Sequence, residues 1–116
     1  MRRPIHGCGL EAALAVVGGK WKPIVLWRLA GGARRFGELR RLVEGISEKM
    51  LIQQLREMEA DGIVARKDFR EVPPRVEYAL TEKGRALLPI IREMRKFGHA
   101  WIVPEPRRRR RSVARG

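Results

Sequence analysis

Residues 45–80 have the sequence GISEKMLIQQLREMEADGIVARKDFREVPPRVEYAL. The helical part of this segment begins at a serine and ends at a glycine. Ser47 can accept hydrogen bonds from the free backbone N–H groups of a first turn, and Gly62 can supply the left-handed position that ends a helix. Two short strand-like runs follow, separated by a turn that contains two prolines. The segment therefore predicts one helix followed by a β-hairpin.

The predicted helix, residues 47–60, has two faces of different character. At 3.6 residues per turn, Leu51, Leu55 and Met58 stack on one side, which we expect to lie in the core. The other side is polar and rich in hydrogen-bond donors. It carries Lys49, Ile52, Gln53 and Arg56.

The hairpin is predicted over residues 63–69 and 75–80. Its second strand has alternating inward positions, which are Val76, Tyr78 and Leu80, so one face packs and the other meets solvent. Pro73 and Pro74 lack backbone N–H groups and cannot complete the ladder. The turn between the strands is therefore predicted to be a stiff, projecting wing.

Three helices are predicted before this segment. The first has apolar positions at helical spacing, which are Leu10, Leu14 and Val17. It ends at the glycines of residues 18–19. The second has Pro23 in its first turn and ends at the glycines of residues 31–32. A third, short helix spans residues 36–45, and a tight turn over residues 43–47 joins it to the amphipathic helix.

One helix is predicted after the hairpin. Thr81 can cap it, and Pro89 kinks or splits it. Its three-and-four spacing is carried by Leu87, Ile91, Met94, Gly98 and Trp101. The elements together predict a mainly α fold with a small β-hairpin, in the form of a winged helix-turn-helix domain with N- and C-terminal dimerisation helices over residues 1–103. Residues 104–116 contain five consecutive arginines, and we expect them to form a basic, disordered tail.

Composition limits the class of protein. The 116 residues have room for one compact domain, and 26 Lys and Arg against 13 Asp and Glu give a net charge of +13. This excess favours a polyanionic partner, and nucleic acid fits better than a membrane because no helix combines a basic face with a wide apolar face. The sequence has neither an apolar bilayer span nor a secretion signal, so we expect a soluble, cytoplasmic protein.

Catalysis and cofactor binding are not predicted. The single cysteine, Cys8, has only His6 and His99 beside it as candidate metal ligands, and their spacing fits no zinc site. No serine lies in a recognisable nucleophile motif. We therefore expect no enzyme, no metal and no cofactor. The sequence leaves open whether an apolar small-molecule effector binds at the junction of the first, second and last helices.

Duplex DNA is the predicted partner of the polar helix face. Lys49 can donate to a guanine edge or a phosphate, Gln53 can pair with adenine, and Arg56 can reach either. The same surface includes Ser47 and Ile52. We expect phosphate contacts from Arg34, Arg35 and Arg75. The alternative for each of these residues is an ordinary solvated surface position.

Surplus apolar residues on the terminal helices predict a homodimer. A domain of this size cannot bury all of them internally, and the candidates are Leu10, Leu14, Val17, Leu88, Ile91, Met94 and Trp101. A two-fold dimer predicts an inverted-repeat operator. Cys8 is the candidate for redox sensing, because thiols near arginines or helix N-termini oxidise readily. Its alternative is a partly buried side chain without a signalling role.

Several blocks of the chain, taken in order, resemble the HxlR family of bacterial winged helix regulators. They cover roughly residues 8–101 and comprise Cys8, GGKW at 18–21, RFGEL at 35–39, GIS at 45–47, LREMEADG at 55–62, VPPRVEY at 72–78, and Thr81 with Gly84 and Pro89. The resemblance implies a homodimer held by the first and last helices, which binds paired operator half-sites near promoters. Gly9 follows Cys8 where the family commonly has proline.

Two other functions share some of these features. An RNA-binding or ribosome-associated winged helix would have the same basic charge, although it would not need apolar terminal helices. A thiol enzyme would depend on Cys8 alone. Competition between duplex DNA and structured RNA for the purified protein distinguishes the RNA-binding alternative from a DNA-binding regulator.

Overall fold

The computed structural model describes residues 7–104. The elements are α1 (Gly9–Val17), α2 (Trp21–Arg28), β1 (Arg34–Arg35), α3 (Phe36–Leu42), α4 (Glu48–Ala60), β2 (Val64–Asp68), β3 (Val76–Leu80), α5 (Glu82–Arg85) and α6 (Leu88–Trp101). The fold is mainly helical with a small antiparallel sheet of order β1-β3-β2. Within these residues, no helix has both the length and the apolar character needed to span a membrane. The predicted basic tail lies outside the described residues, apart from Pro104.

The core forms around the apolar face of α4. Leu51, Leu55 and Met58 are fully buried, as the helical spacing predicts. They belong to one hydrophobic cluster with Val25 and Leu26 of α2. Further members are Leu39 of α3, Val43 in the turn after α3, Ile63 just before β2, Leu80 of β3 and Ile91 of α6. The prediction that this face of α4 is internal is confirmed.

The caps of α4 are those that the sequence predicts. The Ser47 hydroxyl oxygen accepts a hydrogen bond from the Met50 backbone N–H at 3.0 Å. Gly62 follows the helix with a φ of +76°, a left-handed conformation that glycine adopts at little cost. The chain then turns directly into β2. These two caps fix where the helix begins and how the wing leaves it.

The sheet has one strand more than the sequence predicts. Strands β2 and β3 pair from Val64–Leu80 to Asp68–Val76, which confirms the hairpin. The additional strand β1 pairs Arg34 with Tyr78 on the other edge of β3. A two-residue strand is too short to show alternating apolar and polar positions in the sequence. It can be recognised only in the folded structure, where it pairs with the edge of β3.

The region after β3 contains two helices rather than one. Thr81 accepts a hydrogen bond from the Gly84 backbone N–H at 3.1 Å and so caps the four-residue helix α5. Pro89 lies in the first turn of α6, where a missing N–H costs no helical hydrogen bond. Of the two alternatives for Pro89, splitting is therefore the observed one.

Helix α5 packs against the junction between α4 and β2. Thr81 donates its hydroxyl proton to the Gly62 carbonyl at 2.6 Å, and its backbone N–H bonds to the Ile63 carbonyl at 3.1 Å. Gly84 approaches the same carbonyl so closely that a Cβ atom there would lie 2.1 Å from Ile63 O. Glycine is therefore required at this contact.

Gly84→Ala should lower the free energy of unfolding by about 1–3 kcal/mol, because backbone must move to admit the methyl group. Gly98→Ala is the matched control, since nothing lies within 4 Å of the Cβ position in this exposed helix. That control should be neutral or stabilising by up to about 1 kcal/mol. Urea unfolding measures both, and equal stabilities of the two variants would contradict the close contact.

Candidate nucleic-acid interface

The outward face of α4 presents the three side chains predicted to read DNA. Lys49, Gln53 and Arg56 are exposed, and Ile52 is half-buried between them and the sheet. Ser47 is exposed at the N-terminus of the helix, but its hydroxyl already serves as the cap. The structure therefore brings the donors together on one helix face and leaves that face uncovered by the rest of the described chain.

Helices α3 and α4 form the predicted tight helix pair. Val43 and Ile46 in the intervening turn are buried, and the Ile46 N–H bonds to the Val43 carbonyl at 3.3 Å. The turn thus contributes two side chains to the core, which fixes its position between the two helices. Arg40 of α3 also lies 3.8 Å from Glu48 of α4. This is the arrangement of a helix-turn-helix, whose second helix enters the major groove.

Arg34 and Arg35 lie on β1 at the edge of the sheet. Arg35 is exposed, and its backbone N–H bonds to the Glu38 carboxylate at 2.9 Å, which caps α3. Arg34 is half-buried and donates from Nε to the Arg28 carbonyl at 3.4 Å. Pairing to β3 fixes the backbone of both residues. Arg35 is therefore the more accessible of the two cations.

Arg75 is held inside the wing. Its guanidinium lies 3.7 Å from the centre of the Phe69 ring, and Nη2 donates to Glu71 at 3.2 Å. Nη1 lies 3.7 Å from Glu77. The charge is thus shared with two carboxylates and an aromatic face. In this arrangement Arg75 shapes the wing tip, and a phosphate would have to compete with Glu71 and Glu77 for it.

The accessible cations of the wing are residues that the sequence analysis did not single out. Arg66 and Lys67 are exposed on β2, and Arg70 is exposed at the start of the turn with a φ of +54°. The Arg70 backbone N–H bonds to the Asp68 carboxylate at 2.9 Å, which supports this conformation. A signal was available in the sequence, since Arg66, Lys67 and Arg70 are clustered within five positions.

A groove of about 560 Å³ separates α4 from the sheet. Arg56 lines it on the helix side and Arg66 on the strand side. Glu48 and Glu59 also line it, so the groove carries both signs of charge. Tyr78 and Ile52 form part of its apolar floor. Helix α4 and strand β2 therefore form the two walls of the groove, and each wall carries one arginine, Arg56 or Arg66.

Each of the two terminal helices, α1 and α6, carries exposed apolar side chains. Leu10 is 70% exposed and Trp101 is 77% exposed, and Leu14 and Met94 are also exposed. The prediction needs correction for Ile91, which is only 6% exposed because it faces the core. Val17 and Leu88 are half-buried against the same core. Ile90 and Phe97 are further exposed apolar residues of α6, and the helical spacing used for the prediction did not include them.

Cys8 is exposed at the N-terminus of α1. Its Sγ accepts a hydrogen bond from the Glu11 backbone N–H at 3.4 Å, so the thiol is the cap of the helix. The arginines nearest to Cys8 in the sequence, Arg2 and Arg3, lie outside the described residues, as does His6. Cys8 is two positions before Leu10, the first exposed apolar residue of α1.

A cavity of about 510 Å³ lies between α2 and α6. Trp27, Ile91 and Met94 contribute apolar walls, and Arg28 and Arg95 contribute cations. The Arg95 guanidinium lies 5.1 Å from the centre of the Trp27 ring. Over residues 7–104, no group of three or more His, Cys, Asp or Glu side chains is arranged to hold a metal ion.

Comparison with known proteins identifies close relatives. The model of the HxlR-like helix-turn-helix family matches residues 16–106. The chain is 50% identical over 95 residues to YybR of Bacillus subtilis (strain 168), an uncharacterised HTH-type transcriptional regulator. The aligned region covers 82% of this chain and 76% of YybR. Over 98 residues it is 50% identical to YkvN, another such regulator from the same organism, covering 84% and 83% of the two chains.

A similar solved structure is that of the redox regulator HypR in its oxidized form. It superimposes with a TM-score of 0.78 at 47% sequence identity, over 84% of this chain and 100% of HypR.

Proposed function

The chain belongs to the HxlR-like helix-turn-helix family of DNA-binding transcription regulators, and we propose that it binds duplex DNA sequence-specifically as a homodimer on inverted-repeat operators. The observation that carries this proposal is the orientation of α4. Its apolar face is buried in the core, so Lys49, Gln53 and Arg56 must point away from the domain, beside the cationic wing. Such a regulator acts at the chromosome, which in a bacterium lies in the cytoplasm.

In the proposed complex, α4 enters the major groove from its N-terminal end. Lys49 meets a guanine edge or a phosphate, Gln53 meets adenine, and Arg56 reaches a base or a phosphate. Ile52 offers apolar contact to a thymine methyl group, and the Ser47 cap brings the backbone N–H groups of the first turn close to a phosphate. These contacts supply the sequence preference.

Phosphate contacts come from both edges of the sheet in this proposal. Arg34 and Arg35 lie on β1 at one edge, and Arg66 and Lys67 lie on β2 at the other. Arg75 contributes by holding the wing tip in shape, and by contacting phosphate where the backbone displaces Glu71. Such contacts fix the register on the duplex and carry most of the salt dependence.

The dimer is proposed to form through α1 and α6. On α6, Ile90, Met94, Phe97 and Trp101 recur at helical spacing and are all exposed. On α1, Leu10 and Leu14 lie one turn apart and are exposed as well. A second copy of the chain would cover both stripes. Two-fold symmetry would then place the two α4 helices about 34 Å apart, or a multiple of that distance, on one face of the duplex.

Redox control through Cys8 is proposed as a further property of this dimer. Cys8 is the only cysteine of the chain, so a disulfide must join two protomers. Two Cys8 thiols would lose two protons and two electrons to an azo oxidant such as diamide and form one S–S bond. Cys8 lies at the end of the apolar surface on α1, so the bond would tie the proposed interface and alter the spacing of the α4 helices.

Base reading is tested with a duplex enriched from a random library and then substituted one base at a time. Lys49→Ala or Gln53→Ala should cost about 1–3 kcal/mol of binding free energy and relax preference at one position. Arg35→Ala is the contrasting variant, which should weaken all sequences alike and lower the salt slope by about one unit. An unchanged preference profile in both helix variants, or stronger competition by structured RNA, would refute the proposal.

Sedimentation at micromolar concentration tests the dimer. The wild type should run at twice 13.3 kDa, and Met94→Glu should run as a monomer because a charge cannot be buried unpaired in the interface. Val72→Glu introduces the same charge at the wing tip, where Val72 is 97% exposed, and should remain dimeric. A 13.3 kDa wild-type species would contradict the dimer.

Diamide treatment tests the role of Cys8. The wild type should form a covalent dimer on a non-reducing gel and change its operator affinity about 5-fold or more, a typical coupling between two sites. Cys8→Ser should show neither effect, and dithiothreitol should reverse both in the wild type. Equal operator affinities of the two proteins after diamide would rule out redox sensing while leaving the DNA-binding proposal intact.

A further inference from the structure

A buried lysine of α2 is connected to the outward face of α4 through one carboxylate. Lys22 Nζ forms an ion pair with Glu57 Oε1, and the Lys22 side chain is 11% exposed against 39% for Glu57. The second oxygen of Glu57, Oε2, accepts a hydrogen bond from Gln53 Nε2 at 3.3 Å. A chain of three side chains therefore runs from the core to the residue proposed to meet adenine.

Lys22 restricts the position of Glu57. Among residues 7–104, Lys22 is the one charged side chain in the buried interior. An ammonium group removed from water is costly unless a partner compensates it, so the pair is held together by the burial of the lysine. Glu57 is partly exposed, and the ion pair draws its carboxylate toward the buried ammonium of α2. The lysine keeps its carboxylate beside Gln53.

Glu57 in turn determines which end of the Gln53 amide points outward. A carboxylate can only accept hydrogen bonds, so it selects the NH₂ end of the amide. One N–H of Gln53 is then used internally, and the carbonyl oxygen and the second N–H are left for DNA. That pair of groups matches the N6 donor and the N7 acceptor of adenine in the major groove.

We propose that Glu57, anchored by Lys22, is a positioning residue that presents the Gln53 amide for adenine. The inference rests on the proposed function, in which Gln53 meets a base edge. Glu57 and Lys22 act through Gln53 and touch no base themselves. Specificity at one operator position is thus set by an ion pair that reaches into the core, and not by the exposed helix surface alone.

The variant Glu57→Gln tests the orientation directly. Its amide oxygen can still accept from Lys22, so the buried ammonium keeps a partner. Its NH₂ group then faces Gln53, which must turn its own oxygen inward and its NH₂ group outward. We expect the preference for adenine at the Gln53-dependent position to fall roughly 5- to 150-fold, the range of one bidentate contact, and to move toward guanine or thymine, which offer acceptors.

Base preference is measured with the full chain over all single-base substitutions of a duplex enriched from a random library. Glu59→Gln is the matched control, because it removes the same charge from the same helix but lies six residues from Gln53, on another side of the helix. Both variants should bind all sequences somewhat more tightly, since each removes one negative charge. Only Glu57→Gln should change the ratio between bases at one position.

A second variant tests the anchor without leaving a buried charge unpaired. Lys22→Met replaces the ammonium by an apolar group of similar length, and the Glu57 carboxylate that remains is 39% exposed and can be hydrated. Melting temperature should not fall, and the adenine preference should weaken because Glu57 is no longer held beside Gln53. An unchanged preference in this variant would overturn the role of Lys22.

The outcomes separate this inference from the proposed function. If Gln53→Ala relaxes one operator position but Glu57→Gln leaves that position reading adenine, or relaxes every position equally, the positioning role is overturned and base reading by Gln53 stands. A wild-type preference for guanine or thymine at that position would also overturn it. If Gln53→Ala relaxes no position, base reading itself fails. In the Gln53→Ala background, Glu57→Gln should have no further effect on preference.

Discussion

The structure depends on the burial of one helix face. Leu51, Leu55 and Met58 have almost no exposed surface, and each contributes about 1.5–3 kcal/mol by leaving water. Rotating α4 about its axis would expose all three. Exposed ion pairs such as Arg40–Glu48 contribute at most about 1 kcal/mol, so they cannot oppose this preference. The core therefore decides which side of α4 faces outward, and the polar side follows.

The cationic side chains of this protein fall into two groups, those that bind other parts of the protein and those that are exposed. Arg75 and Lys22 are committed to the molecule itself, one holding the wing tip against Phe69 and the other holding Glu57. Lys49 and Arg66 are exposed, and Arg66 lines the groove between α4 and the sheet. A net charge of +13 thus overstates the number of free cations, because burial and neighbouring carboxylates decide which of them a polyanion can reach.

Local patterns in the sequence predict most of the fold. The Ser47 cap, the Gly62 stop and the alternation in β3 each follow from backbone chemistry within a few residues, and the structure confirms them. Features that need distant partners are not visible in this way. Strand β1 exists only because β3 offers an edge, and the Lys22–Glu57 pair joins positions 35 residues apart. The partners of Arg75 are close in sequence, but it takes the folded turn between β2 and β3 to bring Phe69, Glu71 and Glu77 around its guanidinium.

Contact between duplex DNA and the outward face of α4, together with the adjacent wing, can be observed residue by residue. Nuclear magnetic resonance of the ¹⁵N-labelled chain during titration with an enriched duplex makes that measurement. We expect the side-chain amide of Gln53 and the backbone amides of residues 47–56 and 66–70 to shift most. Shifts concentrated on α1 and α6, with the Gln53 amide unchanged at saturation, would contradict this contact.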